Sequence, residues 1–524
     1  MIHGDVLGER ARLSPDKTAL VFVPTGERFA YRQLDERAAR CARAWIEGIG
    51  LAQGDRIGIL AHNRVEFLDN FFAAGKSGIV IVPLGTRLTA HELAFMMRDC
   101  GMRALVYDGA FASVVRELRS LVSIGQWVAL DEPVDSSDLR YRELVGALSP
   151  APGARASCNP ESTYCLLYTS GTTGKPKGVM LSHRMIAWNA YNTATSWQLR
   201  EDDVSPIFTP LYHAGGLGAF LLPIFAIGGA IVLHAGFDPT EIWHIIESER
   251  CTVVLGVPTI WKLLMEAPEF ASVDLSHVRW LASGGAPLPL YIIEAFQKRG
   301  VVFRQGYGLT EVGVNCFAMS NEDSVRKKGS IGRPLMFTLA KLIDAHGLEV
   351  EAGDVGELVL KGPHVCSGYW NNADATAAAL DAEGFFHTGD LARRDADGFF
   401  TIAGRKKDMF ISGGVNVYPA EIEGELLLHP GVRDAAVIGV PDPTWGEVGV
   451  AFVVPRTEPG PSASELADFL AARLAKYKIP NEFIWIDSLP RTAYGKVVKG
   501  ELVARYASGR APGTADRAPE EDKG

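Results

Sequence analysis

The eleven residues from Tyr168 to Gly178 read Tyr-Thr-Ser-Gly-Thr-Thr-Gly-Lys-Pro-Lys-Gly, with three glycines, four Ser/Thr hydroxyls and two lysines. Glycines let backbone N–H groups converge on an anion, and hydroxyls and ammonium groups add donors and charge. Thr169, Ser170, Gly171, Thr172, Thr173, Gly174 and Lys175 therefore form a candidate polyphosphate cradle, delivered by the apolar run Tyr164–Tyr168. A plain surface turn would use similar residues, but the preceding buried-strand pattern favours the cradle. It is not the usual P-loop, because Thr169 stands where that motif needs a glycine ahead of Gly174-Lys175.

Five other stretches carry chemistry. In Gln305–Glu311, Gly306 and Gly308 flank Tyr307 and leave its ring open to stack on a base; Thr310 offers a hydroxyl and Glu311 a hard oxygen ligand. Asp390, after Thr388-Gly389, supplies a carboxylate that suits a vicinal diol, since it accepts two hydrogen bonds at once. In Pro210–Gly216 and Ser283–Pro287, glycines clear volume that His213 is placed to gate. Lys496 closes Pro490-Arg-Thr-Ala-Tyr-Gly-Lys; an ammonium there would offset the repulsion between a carboxylate and the phosphate it attacks. Each residue alone reads as packing, turn or solvated surface.

Taken together and in order, these stretches resemble the adenylate-forming (AMP-binding) superfamily: acyl- and aryl-CoA synthetases, amino-acid-activating domains and firefly luciferase. The resemblance spans nearly the whole chain. It implies that ATP binds through Thr169–Lys175, Gly285, Ala286, Pro287, Gly306, Tyr307, Gly308, Asp390 and Arg405. Tyr307 would stack on adenine, Asp390 with Arg405 would hold the ribose, and Thr310 would contact the α-phosphate. Glu311 and Thr173 would hold Mg2+, and His213, Ala214, Gly215, Gly284 and Gly308 would line the acyl pocket. Ala214 stands where amino-acid-activating relatives carry Asp, which argues against an α-amino acid. Catalysis would rest on Lys496, Glu311, Thr310 and His213. The small domain would turn about Lys407, bringing Gly413 and Gly414 to a pantetheine tunnel. The implied enzyme is an ATP-dependent carboxylate–CoA ligase acting through an acyl-adenylate, on a fatty or aromatic acid, with coenzyme A as acceptor. A carrier-protein phosphopantetheine is the alternative acceptor, and a silent nucleotide-binding regulator the alternative of another class.

The elements that must position these groups follow from 524 residues, 47% apolar and 22% charged, which suit a soluble globular protein of more than one unit. A net charge of -10 argues against nucleic acid as partner. Seven cysteines without a C-x-x-C pair suggest neither disulfides nor zinc, and together with the absence of a leader pattern point to the cytoplasm. The uncharged stretch Ala214–Leu233 approaches membrane-span length, but Pro223 and five glycines interrupt it, so a buried helix–turn–strand is expected.

Strands at Arg56–Leu60, Ile79–Val82 and Arg103–Tyr107 alternate with helices at Val65–Ala74 and Ala90–Cys100, and the pattern resumes between Ile231 and Arg304. A strand pair, Thr18–Val23 with Arg28–Tyr31, precedes them. The fold class is α/β: a large N-terminal domain of two similar α/β layers plus a small β subdomain over Lys327–Leu391, and a small, mobile α+β C-terminal domain. The domains are expected at 1–404 and 405–507, with a disordered tail at 508–524. In the small domain a helix is expected over Ala463–Lys476, with Leu466, Phe469, Leu470 and Leu474 on one face and a Ser462/Glu465 capping box.

Overall fold

Strand Thr163–Thr169, which leads into the cradle, sits near one edge of a seven-stranded sheet in a computed structural model that describes residues 4–149, 158–169, 175–286, 288–491, 496–509 and 516–517. The spatial order is Leu139–Arg140, Gln126–Ala129, Ala104–Tyr107, Arg56–Leu60, Val80–Pro83, Thr163–Thr169, Lys177–Ser182. All pairs are parallel except the last, a hairpin around the cradle. Successive side chains face opposite sides, so Ile57, Ile59, Ile81, Cys165 and Leu167 enter one core while Leu60, Val80, Val82, Leu105 and Leu166 enter another. Helix Ala90–Asp99 begins at the expected capping box, with Thr89 and Glu92 bonded to each other's backbone N–H.

The second layer has a four-stranded sheet in the order Val204–Ile207, Ala230–Leu233, Thr18–Phe22, Glu27–Ala30. Beside it lies a parallel three-stranded sheet, Val253–Gly256, Trp280–Ser283 and Phe303–Gln305, linked through Thr252 N to Val204 O at 2.9 Å. Leu20, Ile231 and Leu233 share the core filled by Ile57 and Ile81, so the two layers pack on each other as expected. The N-terminal hairpin thus belongs to the second layer, although it precedes every strand of the first. Its second strand stops at Ala30, because the Gln33 side chain accepts from Ala30 N (2.7 Å) and opens helix Tyr31–Arg43. Tyr31, expected in the strand, instead starts that helix and donates to Gly229 O (2.6 Å).

The stretch 214–233 is the expected buried helix–turn–strand. A π segment, Gly215–Leu221, runs into helix Leu222–Ile227, and Gly228 ends it at φ +86° before strand Ala230–Leu233. No described helix is long and apolar enough to cross a membrane. All seven cysteines are buried free thiols.

The β subdomain is a four-stranded antiparallel sheet, Leu339–Ile343, Val355–Lys361, Phe386–Arg394 and Phe400–Arg405. Beyond it a six-stranded sheet has its own cores on both faces, with helices Pro419–Leu426 and Ala463–Ala471 on one side and Lys499–Ala507 on the other. The Ser462/Glu465 capping box forms. The helix it opens ends at Ala471, short of the expected Lys476; Leu466 and Leu470 are buried, and Phe469 packs against His429 and Arg473. Most of the expected disordered tail lies outside the described residues, but Asp516–Arg517 within it pair with Glu482–Phe483.

Candidate active site

The cradle's flanks are fixed by the hairpin register Thr169↔Lys177 and Tyr168↔Gly178. Tyr168 donates to Asp99 Oδ2 (2.7 Å), and a Cβ at Gly178 would stand 3.2 Å from the Tyr168 ring, so this glycine serves the close packing of the hairpin. Lys175 is exposed, and the Lys177 ammonium lies 5.3 Å from the centre of the Tyr369 ring. Ser170, Gly171, Thr172, Thr173, Gly174 and Pro287 lie outside the described residues.

Tyr307 and Asp390 meet directly. The buried Tyr307 hydroxyl donates to Asp390 Oδ2 (2.6 Å), and Arg405 Nε lies 3.0 Å from Asp390 Oδ1. Asp390 and Arg405 are register partners on adjacent antiparallel strands, so the ion pair follows from strand pairing. Each carboxylate oxygen keeps a further lone pair for another donor. The Tyr307 ring packs edge-on against Phe317 at 5.7 Å. Gly306 sits where a Cβ would come 3.2 Å from Trp197. At Gly308 a Cβ would fall 2.4 Å from the backbone of Gly313 and Val314, so this glycine is required by chain packing.

Glu311 occupies a short 3-10 turn, Thr310–Val312, gripped at three points by the segment after strand Val355–Lys361. Tyr369 Oη donates to Glu311 Oε1 (3.1 Å), Cys366 N donates to Glu311 O (2.8 Å), and His364 Nδ1 donates to Val312 O (2.5 Å). Thr338 Oγ1 donates to His364 Nε2 at 2.7 Å, which fixes the neutral Nδ1–H form; burial also lowers the His364 pKa. Arg184 holds the same segment through the carbonyls of Pro363 and Val365, and pairs with both oxygens of Glu161 at 2.7 and 3.0 Å. Thr169 Oγ1 lies 3.5 Å from Glu311 Oε1, tying the cradle's first residue to this carboxylate. Burial raises the Glu311 pKa, with the backbone N–H, Tyr369 and Lys496 opposing it. His364, Tyr369 and Arg184 were not among the residues singled out from sequence. Gly368-Tyr369, an aromatic after a glycine like Gly306-Tyr307, was the one available signal.

Lys496 stands at the same centre. Its ammonium is crowded enough for burial to lower its pKa, with Arg405 and Lys407 adding to the effect and Asp390 and Glu311 opposing it, although the residue keeps an exposed surface on the cleft. Burial, then Lys496 and Arg87, bring the His213 pKa down to about 4, so its ring is neutral at pH 7. Lys496, Glu311, Asp390, Arg405 and His213 are therefore close enough to feel one another's charge.

Beside the Glu311 turn lies an apolar cavity lined by Phe71, Leu181, Met185, Leu217 and Val314, with Ala214 and Thr310 also on its wall. Gly215 starts the adjoining π segment. Gly284, Gly285 and Ala286 lie apart from this lining, just past the C-terminal end of strand Trp280–Ser283, where open α/β sheets receive ligands. Gly285 is held at φ +83°. Gly413 and Gly414, at φ +57° and +80°, form the exposed turn between Phe410–Ser412 and Val415–Val417. Lys407 is exposed one residue after Lys406, whose backbone N–H donates to Gly389 O (2.9 Å) and whose ammonium pairs with Glu357 (2.8 Å).

Among the described residues no three His, Cys, Asp or Glu side chains cluster as a metal site. A divalent ion here would depend on the Glu311 carboxylate and on phosphate oxygens, which is how Mg2+ is commonly held.

A family model described as AMP-binding enzyme matches residues 7–370, and one described as AMP-binding enzyme C-terminal domain matches residues 421–496. A feruloyl-CoA synthase from Amycolatopsis sp is 40% identical over 498 residues, covering 95% of this chain and 97% of its own. The long-chain-fatty-acid–CoA ligase FadD13 of Mycobacterium tuberculosis is 35% identical over 509 residues, covering 96% and 98%. Among solved structures, o-succinylbenzoate coenzyme A synthetase (MenE) of Bacillus subtilis, in complex with ATP and magnesium ion, matches with a TM-score of 0.82 at 33% identity, over 95% of this chain and 99% of that one.

Proposed function

The chain belongs to the AMP-binding enzyme family, and we propose that the groups gathered around Glu311 and Asp390 are its adenylation centre. It is an AMP-forming acid–thiol ligase. A carboxylate attacks the α-phosphorus of ATP and expels pyrophosphate; the thiol of coenzyme A then attacks the acyl carbon and expels AMP.

Each residue's part follows from its surroundings. Asp390, its two oxygens aimed by Tyr307 and Arg405, accepts from the ribose hydroxyls. Thr310 and the cradle hydroxyls donate to phosphate oxygens. Lys496 offsets the repulsion between incoming carboxylate and phosphate as charge passes to the leaving pyrophosphate. Neutral His213 adds no cation to hold the carboxylate away from the phosphorus. The raised pKa of the buried Glu311 fits a site that gains stability when a cation arrives, so Glu311, with Thr173 from the cradle, would hold Mg2+. When bound, that ion neutralises the phosphate charge and withdraws electrons from the phosphorus. The relative solved with ATP and magnesium supports this assignment.

The apolar cavity at Ala214 and Thr310 receives the acyl group, an aromatic or fatty acid by its lining and by the names of the relatives. Lys407 would be the pivot, since Lys406 is the last of the run tied to the large domain, and Gly413-Gly414 would meet the pantetheine arm. The observation that carries the reading is the convergence of Lys496, Glu311 and Asp390 from three distant stretches. Its test is pyrophosphate release and thioester formation over fatty, benzoic and cinnamic acids. Lys496→Ala should lower adenylation about a hundredfold to a thousandfold while sparing thioester formation from a supplied acyl-adenylate. Equal loss of both halves would remove Lys496 from this role.

A further inference from the structure

One polar side chain on the wall of the apolar cavity has incomplete bonding. Asn189, on helix His183–Ser196, is 6% exposed and lines the cavity with Leu181, Met185, Leu217 and Val314. Its Nδ2 donates to Gly218 O at 2.7 Å. A carbonyl can only accept, so this bond settles which end of the amide is nitrogen. The other end, Oδ1, has no hydrogen-bond partner among the described residues. It lies against Gly313, where a Cβ would stand 2.8 Å from it, and a Cβ at Gly218 would stand 2.7 Å from Val314. The two glycines thus let the walls approach closely around an acceptor that lacks a donor.

An unmet buried carbonyl is destabilising, and an apolar side chain would avoid that cost. We propose that Asn189 is a specificity-determining residue, and that the preferred acid carries a neutral hydroxyl on an apolar body, away from its carboxylate, to donate to Oδ1. This rests on the reading that the cavity holds the acyl group. A second carboxylate would face a lone pair with no cation on the lining, and an ammonium would be desolvated without a counter-charge. A phenolic aromatic acid meets every condition.

The test compares kcat/KM of the purified full chain for cinnamic acid and its 2-, 3- and 4-hydroxy derivatives, read as pyrophosphate release. At least one hydroxylated acid should exceed the parent by roughly tenfold or more. In Asn189→Leu the ratio should fall to about twofold or reverse, chiefly because the parent acid improves. A wild-type enzyme that prefers the parent over all three derivatives, or uses them equally, overturns the proposal without any variant; so does Asn189→Leu with the preference intact. Turnover of cinnamic acid without discrimination refutes only the role of Asn189, whereas no pyrophosphate from fatty, benzoic or cinnamic acids alike refutes the acyl-adenylating reading on which it rests.

Discussion

The turn that carries Glu311 and the turn at Gly413-Gly414 are built on opposite principles. The first is short, bonded at three points by His364, Cys366 and Tyr369, and backed by Arg184 through two further carbonyls. The second is an exposed glycine pair whose Gly413 N–H donates to Trp445 O at 2.8 Å. A carboxylate that must meet charge at a set position is useful only if it cannot drift, because electrostatic stabilisation depends on preorganised groups. A turn proposed to meet a thin thiol arm would need backbone closeness more than fixed charge.

The comparison is broken most severely at Glu311. Glu311→Ala should lower adenylation about a hundredfold to a thousandfold, measured by ATP–pyrophosphate exchange, with thioester formation from supplied acyl-adenylate far less affected. Glu311→Gln should lose activity too, yet raise ligand-free stability at pH 7. The folded-state pKa of Glu311 is raised, so the native chain binds more protons than the unfolded chain in the interval between the two values, and stability falls as pH rises through it. Urea unfolding of both proteins across pH 4–8 tests this; a variant no more stable than the parent at pH 7 contradicts it.

Loosening the grip should cost less. Tyr369→Phe removes one bond to Oε1 and should slow adenylation roughly tenfold, with an unfolding midpoint near that of the wild type. His364→Leu leaves Val312 O unmet and takes the acceptor from the Thr338 hydroxyl, which keeps only the bond from Asn192 Nδ2 (3.2 Å), and should destabilise by about 1–3 kcal/mol, with a several-fold loss in adenylation that His364→Gln partly restores. The open turn should respond differently. Gly414→Ala forces a side chain into φ +80°, where no atom lies within 4 Å of its Cβ, and should cost about 1 kcal/mol. Its activity loss should be confined to the thioester half; an equal loss in adenylation would erase the contrast between the turns.

Much of this was legible in the sequence because it is local. Strand–helix alternation, the capping boxes at Thr89 and Ser462, and Gly228 as a helix stop each depend on residues within a few positions. Glu311, Asp390 and Lys496 were visible because each sits beside glycines and hydroxyls in an unusual cluster. What escaped was set by tertiary placement. His364 looks like any polar residue until the fold brings it to Val312 O. Gly308 reads as open space, yet the constraint is backbone from Gly313 and Val314. Asp390 and Arg405 were expected to act together from the resemblance, but that they do so as register partners on adjacent strands is not revealed by spacing. Beyond the early end of helix Ala463–Ala471, Leu474 still packs on the core from a turn in which its N–H donates to Leu470 O (2.7 Å), which apolar periodicity alone does not separate from helix.

The parallel pairing of Leu20 with Ile231 has a consequence for how the chain comes into being. This strand leaves the ribosome with its parallel partner more than 200 residues behind it. At roughly 5–20 residues per second the apolar stretch Thr18–Phe22 waits some 10–40 s before its neighbour is synthesised. Throughout that interval only the hairpin partner Glu27–Ala30 is at hand and the other edge stays open to chaperones or to self-association, so yield from fast overexpression should improve when translation is slowed or cooled.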